Sequence, residues 1–221
     1  MEAQGDLVSI VAHNPVLRTC SEETRKTLFE RGRLHTFESG SLLFTDDEPG
    51  RRVIFLLRGT LQMGKATSRG RRQIICSPNA FMCGGLCLLF FGERGLAEVR
   101  GMESGQLIVV GREVFECLTQ SDPVFGKAAW DGAAGCMAHL NNLVTQLSFN
   151  KVAERVVTLL LEETHKDGDI VRLTQSDLAA CVGTTREVAA RCLAGFQADG
   201  LIRLGRARIT VMDRGRLERE F

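Results

Sequence analysis

The stretch Leu173–Leu204, LTQSDLAACVGTTREVAARCLAGFQADGLIRL, reads as two helices joined by a glycine turn. In the second, Ala189, Cys192, Leu193 and Phe196 recur at i, i+3, i+4 and i+7, the spacing of one apolar helix face. The opposite face carries Arg186, Glu187, Ala190 and Arg191. Gly183 permits the sharp reversal between helices, and Thr184 or Thr185 can accept the first amide hydrogen bonds of the second. The first helix is expected over 175–181, with Leu178 and Ala179 on the shared core. Beyond Gly200, the run Leu201–Val211 alternates apolar and polar residues as a hairpin does, with glycine expected at its turn. Two helices, a tight turn and a basic hairpin form a winged helix-turn-helix, the element that enters the major groove of duplex DNA.

The side chains suit that task. An arginine fork hydrogen-bonds the N7/O6 edge of guanine, and a glutamate accepts from the N4 of cytosine. Arg203, Arg206 and Arg208 on the hairpin are placed to touch phosphates, which position a protein without reading sequence. An isolated Arg-Glu pair would be an ordinary solvated face; the complete constellation favours the DNA reading.

The whole chain is nearly neutral. Its 221 residues carry a formal charge of +1, so the cationic signal is local: five arginines lie between Thr184 and Val211 against Glu187 and Asp199. With 44% hydrophobic residues the chain can build one large core or two modest ones. No apolar run approaches a membrane span and the first residues lack the layout of a secretory signal, so no membrane partner and a cytoplasmic location are expected.

From Glu38 to Val114 the pattern changes to short runs separated by glycines and charges: 41–44, 53–57, 60–63, 73–76, 96–99 and 107–110. Many short strands predict an antiparallel barrel or roll. The fold class is therefore α+β: an N-terminal β-roll over 1–122, a long helix with its hinge over 123–150, and the winged domain over 151–221. On the long helix Ala129, Ala133, Cys136, Leu140, Leu143 and Leu147 are spaced 4, 3, 4, 3, 4, which fits a coiled-coil seam or one buried helix face. Residues Leu147–Lys151 are the expected hinge, with helix resuming over 152–164.

Thr174, Ala179, Gly183, Thr185, Arg186, Glu187 and Arg191 together resemble the C-terminal domain of the CRP/FNR family of bacterial transcription regulators. Arg58-Gly59-Thr60-Leu61 resembles the glycine-centred hairpin of that family's cyclic-nucleotide-binding, cupin-like roll, so the likeness spans nearly the whole chain. It implies that Arg186, Glu187 and Arg191 read bases, in a half-site related to TGTGA. It also implies a homodimer through Ala133, Cys136, Leu140, Leu143 and Leu147, matching a palindromic operator, and RNA polymerase as a further partner.

The effector cassette departs from the cyclic-AMP binders, which run Phe-x-Gly-Glu-Leu and then Arg-Ser-Ala. Here the stretch is Phe81, Met82, Cys83, Gly84, Gly85, Leu86, Cys87, followed by Arg94, Gly95 and Leu96. Arg94 matches the phosphate arginine, but Gly84 replaces the ribose-binding glutamate, Gly95 replaces the serine, and Leu140 and Asn141 fall where the cyclic-AMP receptor carries hydroxyl groups against adenine. The missing hydrogen bonds, at about 1 kcal/mol or more each, disfavour cyclic AMP.

Eight cysteines in a cytosolic chain are expected as thiols, Cys136, Cys181 and Cys192 being small core residues. The N-terminal cysteine cluster of the iron–sulfur FNR branch is absent: only Cys20 lies there. Phe81-x-Cys83 resembles the segment whose cysteine ligates iron in the carbon-monoxide-sensing haem branch, although Gly85 stands where that branch has histidine. Haem bound through Cys83, another small ligand or thiol oxidation, and no effector at all are the open alternatives. His139, on the long helix, is either a pocket residue or solvated. A cysteine-nucleophile enzyme built on Cys83 lacks a histidine partner nearby. A ligand-binding scaffold without DNA binding is the rival of another class, separable by salt dependence.

Overall fold

A computed structural model describes residues 14–45, 51–68, 72–77, 86–87 and 97–220. Its contacts divide the chain into two compact units: Met1–Lys65 with Ile75–Leu140, and Ala66–Ile74 with Asn141–Phe221.

In the first unit, short helices α1 (Pro15–Thr19) and α2 (Glu22–Arg31) precede strands β1 (Arg33–Phe37), β2 (Leu42–Phe44), β3 (Arg52–Ala66), β4 (Arg72–Cys76), β5 (Leu86–Cys87) and β6 (Glu98–Gly111). Helix α3 (Arg112–Ser121) and the 27-residue α4 (Pro123–Phe149) follow, with α4 from Asn141 onward and β4 up to Ile74 counted in the second unit. The sheet runs β1-β6-β3-β4, with β2 also on β6 and β5 on β3. The resolved pairs β1–β6, β2–β6, β3–β5 and β3–β6 are antiparallel. Residues 53–57, VIFLL, show why the centre is apolar on both faces. Val53, Phe55 and Leu57 enter a core with α1 to α4, whereas Ile54 and Leu56 enter a second core with Phe37, Phe44, Met63 and Leu107. Phe55, Phe115 and Phe125, with ring centroids 5.7–6.3 Å apart, hold α3 and α4 on the sheet.

Two pairs of expected strands are single long ones. Residues 53–57 and 60–63 belong to β3, and β3 pairs with β6 on both sides of Arg58-Gly59-Thr60, so this segment is a bulged strand rather than a hairpin turn. Gly59 takes φ +85°, and a Cβ there would sit 2.9 Å from the Ser104 carbonyl oxygen. Likewise β6 runs unbroken from Glu98, taking in the expected strand at 107–110.

Asp122 starts α4. Its Oδ1 accepts from the backbone N–H groups of Val124 (3.1 Å) and Phe125 (3.0 Å), and Pro123 fills the first helical position, where no amide is needed.

In the second unit, α5 (Val152–Glu162), β7 (Ile170–Val171), α6 (Gln175–Cys181), α7 (Arg186–Ala198), β8 (Ile202–Gly205), β9 (Arg208–Val211) and α8 (Arg214–Glu220) follow in order. The small sheet is β7-β9-β8. Its core gathers Val156 and Leu160 of α5, Leu178 and Ala179 of α6, Ala189, Leu193 and Phe196 of α7, and Ile209 and Val211 of β9. The apolar face read from the sequence thus lies inward, with Cys192 half-buried beside it. No described helix is long and apolar enough to cross a membrane.

Candidate nucleic-acid interface

Each recognition-face side chain is set by a local device. Thr174 caps α6: its hydroxyl oxygen accepts from Asp177 N–H (3.1 Å) and its O–H donates to the Asp177 carboxylate (2.6 Å). The turn follows at Gly183, φ +68°, and Thr184 N–H donates to the Ala179 carbonyl (2.9 Å). Of the two candidate caps, Thr185 does the work, accepting from Val188 N–H at 3.4 Å. Arg186, Glu187 and Arg191 are consequently exposed on one side of α7, with Ala190 half-buried between them. The Glu187 carboxyl is held below its ordinary range by its own backbone N–H and then by the Thr185 hydroxyl, which favours the ionised form.

The wing differs from the sequence expectation in one respect. Gly205 is the last residue of β8, paired with Arg208, and the two-residue turn is Arg206-Ala207, with Ala207 at φ +50°. The turn therefore presents Arg206 at its tip, and Arg203, Arg206 and Arg208 are all exposed. Gln197 Oε1, near the end of α7, accepts from Leu204 N–H (2.9 Å), which ties the wing to the recognition helix.

The geometry adds residues that sequence reading missed. Thr174, Gln175 and Ser176 line a cleft of ≈ 370 Å³ together with Arg186 of α7 and Arg208 of the wing. The Thr174-x-x-Asp177 capping pattern was the available signal, since it fixes where α6 begins. Hydroxyl, amide and two guanidinium groups thus share one cleft, whose remaining lining is apolar or glycine: Leu173, Leu193, Leu204, Gly205, Ala207 and Ile209.

On α4, Ala133, Cys136, Leu140 and Leu143 are half-buried and Leu147 is exposed. Ala129, which began the expected seam, is instead taken up by the core of its own unit. The exposed apolar stripe centres on Trp130 (78%), Met137 (68%) and Val144 (61%), seven residues apart and one position along from Cys136 and Leu143.

Of the expected effector residues, Cys83, Gly84, Gly85 and Arg94 lie outside the described residues. Cys87 ends β5 and pairs with Ile54; Leu140 is half-buried and Asn141 exposed on α4. His139 is neither free nor simply solvated: its Nε2 lies 2.8 Å from the Ile75 carbonyl oxygen of β4. Burial pushes the Cys181 thiol up to about 12 and the Cys20 thiol up to about 11, as apolar surroundings do to a thiolate. Among the described residues no group of three or more His, Cys, Asp or Glu side chains could hold a metal ion.

A strand-rich roll, a long helix and a winged helix-turn-helix with an arginine-bearing face define a DNA-binding transcription regulator with a separate N-terminal domain. The sequence matches two families, the cyclic nucleotide-binding domain over 34–122 and the Crp-like helix-turn-helix domain over 154–220. The chain belongs to the CRP/FNR family. It is 26% identical over 193 residues to the CRP-like cAMP-activated global transcriptional regulator of Mycobacterium tuberculosis, covering 83% of this chain and 85% of that one. Among solved structures, the c-di-GMP responsive global regulator CLP of Xanthomonas campestris is similar at TM-score 0.76 and 18% identity, covering 87% of this chain and 99% of that one. A CooA mutant from Carboxydothermus hydrogenoformans is similar at TM-score 0.73 and 17% identity, covering 90% and 92%. At these identities the structural likeness is one of fold.

Proposed function

We propose that the chain is a homodimeric, sequence-specific regulator that reads an inverted repeat with Arg186, Glu187 and Arg191 and holds the flanking phosphates with Thr184, Thr185 and the wing arginines. The observation that carries this reading is the exposed Arg186-Glu187 pair on a helix capped by Thr185, with Arg186 sharing a cleft with Arg208. Selection from a random duplex pool tests it. The expected product is an inverted repeat with half-site centres about 10–10.5 base pairs apart, because a two-fold dimer places its recognition helices about 34 Å apart. Recovery of unrelated sequences, or binding insensitive to salt, opposes the reading.

The dimer surface in this proposal is the apolar stripe Trp130, Ala133, Met137, Leu140, Val144 and Leu147, a 3,4 alternation along α4. Exposure of three large apolar side chains at seven-residue intervals supports it, since such a stripe is covered by a second helix in a coiled coil.

The N-terminal domain, in the same reading, passes a small-effector signal to the DNA-binding domain by a population shift. Gly84 and Gly95 at the ribose- and phosphate-binding positions speak against cyclic AMP as that signal, although named relatives are cyclic-AMP-activated. Haem or a gas ligand at Cys83, or oxidation of Cys83 and Cys87, fits the cassette better. An anaerobic absorption spectrum separates these: a Soret band moved by carbon monoxide assigns haem, and a featureless one assigns a colourless ligand, a thiol signal or effector-free binding.

A further inference from the structure

The break between α4 and α5 at Asn150-Lys151 is the natural place to expect a joint in the chain. The side chains around it oppose that. Arg155, one turn into α5, reaches back so that Nη1 lies 3.5 Å from the Gln146 carbonyl oxygen and 3.3 Å from those of Leu147 and Asn150. The Gln146 carbonyl already accepts from Asn150 N–H (3.1 Å), so the guanidinium chiefly serves the Leu147 and Asn150 carbonyls at the negative end of the helix dipole and is itself stabilised there. Arg155 is only 9% exposed, its Nε makes no hydrogen bond, and among the described residues no carboxylate pairs with it. Its buried charge is balanced by the end of α4.

Two further contacts act on the same turn. Lys151 N–H donates to Glu154 Oε2 (2.9 Å), so residues of α5 secure both sides of the break. The Leu147 side chain lies so near the helix-turn-helix that a Cβ on Gly183 would be 2.4 Å from its Cδ2. The division into compact units agrees, counting Asn141–Phe149 with α5 to α8.

We propose that Arg155 is a clamp that makes the last turn of α4, Gln146–Asn150, a rigid part of the DNA-binding unit. The joint between the two units then lies above Gln146, inside α4. The segment above it contains Asn141 and Asn142, both exposed and both poorer helix formers than Ala or Leu. Arg155 acts here as a positioning residue, and the expected hinge at Leu147–Lys151 is moved up the helix.

Hydrogen exchange of the full chain, read by mass spectrometry, tests this without reference to DNA. In the unaltered protein, amides of 146–150 should exchange within about threefold of those in 155–160, because they open as one unit. Arg155→Lys keeps the charge but ends one bond short of Nη1, the single nitrogen that makes all three contacts; it should speed exchange at 146–150 about tenfold or more and leave α7 and the wing unchanged. Fast exchange confined to 147–151 in the unaltered protein overturns the proposal. So does an Arg155→Lys effect that is absent, or that spreads evenly over 152–220 as general destabilisation would. If the variant does not fold, the comparison of 146–150 with 155–160 in the unaltered protein decides alone.

Discussion

The carboxylate of Asp122 accepts a 2.8 Å hydrogen bond from the hydroxyl of Thr24, a residue 98 positions earlier in the chain. The same oxygen accepts from Ser21 N–H at 2.8 Å while the other caps α4, so one side chain joins the starts of α2 and α4. The Asp122 carboxyl is held well below the usual carboxylate range, first by the Ser21 N–H and then by the Phe125 N–H and the Thr24 hydroxyl. Asp122→Ala should cost about 2–4 kcal/mol at neutral pH, as loss of a helix cap plus buried charge-assisted hydrogen bonds does. A folded-state pKa below the unfolded one stabilises above about pH 4 and is lost as pH falls through and below that value. Urea titrations should therefore show the difference between Asp122→Asn and the parent shrinking in acid. A difference that is constant from neutral pH to well below pH 4 would rule out the ionised cap.

Gly183→Ala should destabilise the helix-turn-helix. The residue stands at φ +68°, which costs roughly 1–2 kcal/mol for a residue with a Cβ, and the added methyl meets Leu147 Cδ2 at 2.4 Å. Thermal unfolding should show a lowered midpoint together with weakened DNA binding. An unchanged midpoint would mean that the turn does not need its left-handed glycine.

Met137→Lys should yield monomers without loss of the fold, because Met137 is 68% exposed in the single chain. Leu140→Lys should do the same with some loss of stability, since Leu140 is half-buried. Light scattering after size exclusion reads both outcomes. A Met137→Lys protein that keeps the parent's mass places the dimer elsewhere.

Arg208→Ala should weaken binding to all duplexes alike and lower the slope of log affinity against log salt by about one, the signature of a lost phosphate contact. A loss confined to one operator sequence would make Arg208 a base-reading residue instead.

What could be read from the sequence follows the range of the interactions. The helix-turn-helix was legible because Thr174 and Thr185 each cap an amide three residues on, Gly183 takes the positive φ between them, and Ala189, Leu193 and Phe196 repeat at helical spacing. The wing was legible as a hairpin, but its turn was displaced: Gly205 drew the eye while Ala207 takes the positive φ, a choice local propensity does not announce. The Gly59 segment looked like a turn, yet β6 pairs with β3 across it, and that pairing lies some forty residues away. On α4 two adjacent apolar stripes share Ala133, Leu140 and Leu147; burial of Ala129 against the roll distinguishes them, and that needs tertiary contacts. The Asp122 cap and the Arg155 clamp are polar side chains whose partners are distant hydroxyls or carbonyls, which leave no periodic mark.

The most direct test of DNA reading is the affinity of Arg186→Ala for the operator recovered by selection, measured by mobility shift beside the parent. Arg186→Ala should lose about 1–3 kcal/mol per half-site, relax the preference at one base pair and leave the elution volume unchanged. Parental affinity and parental base preference in that variant would contradict that reading.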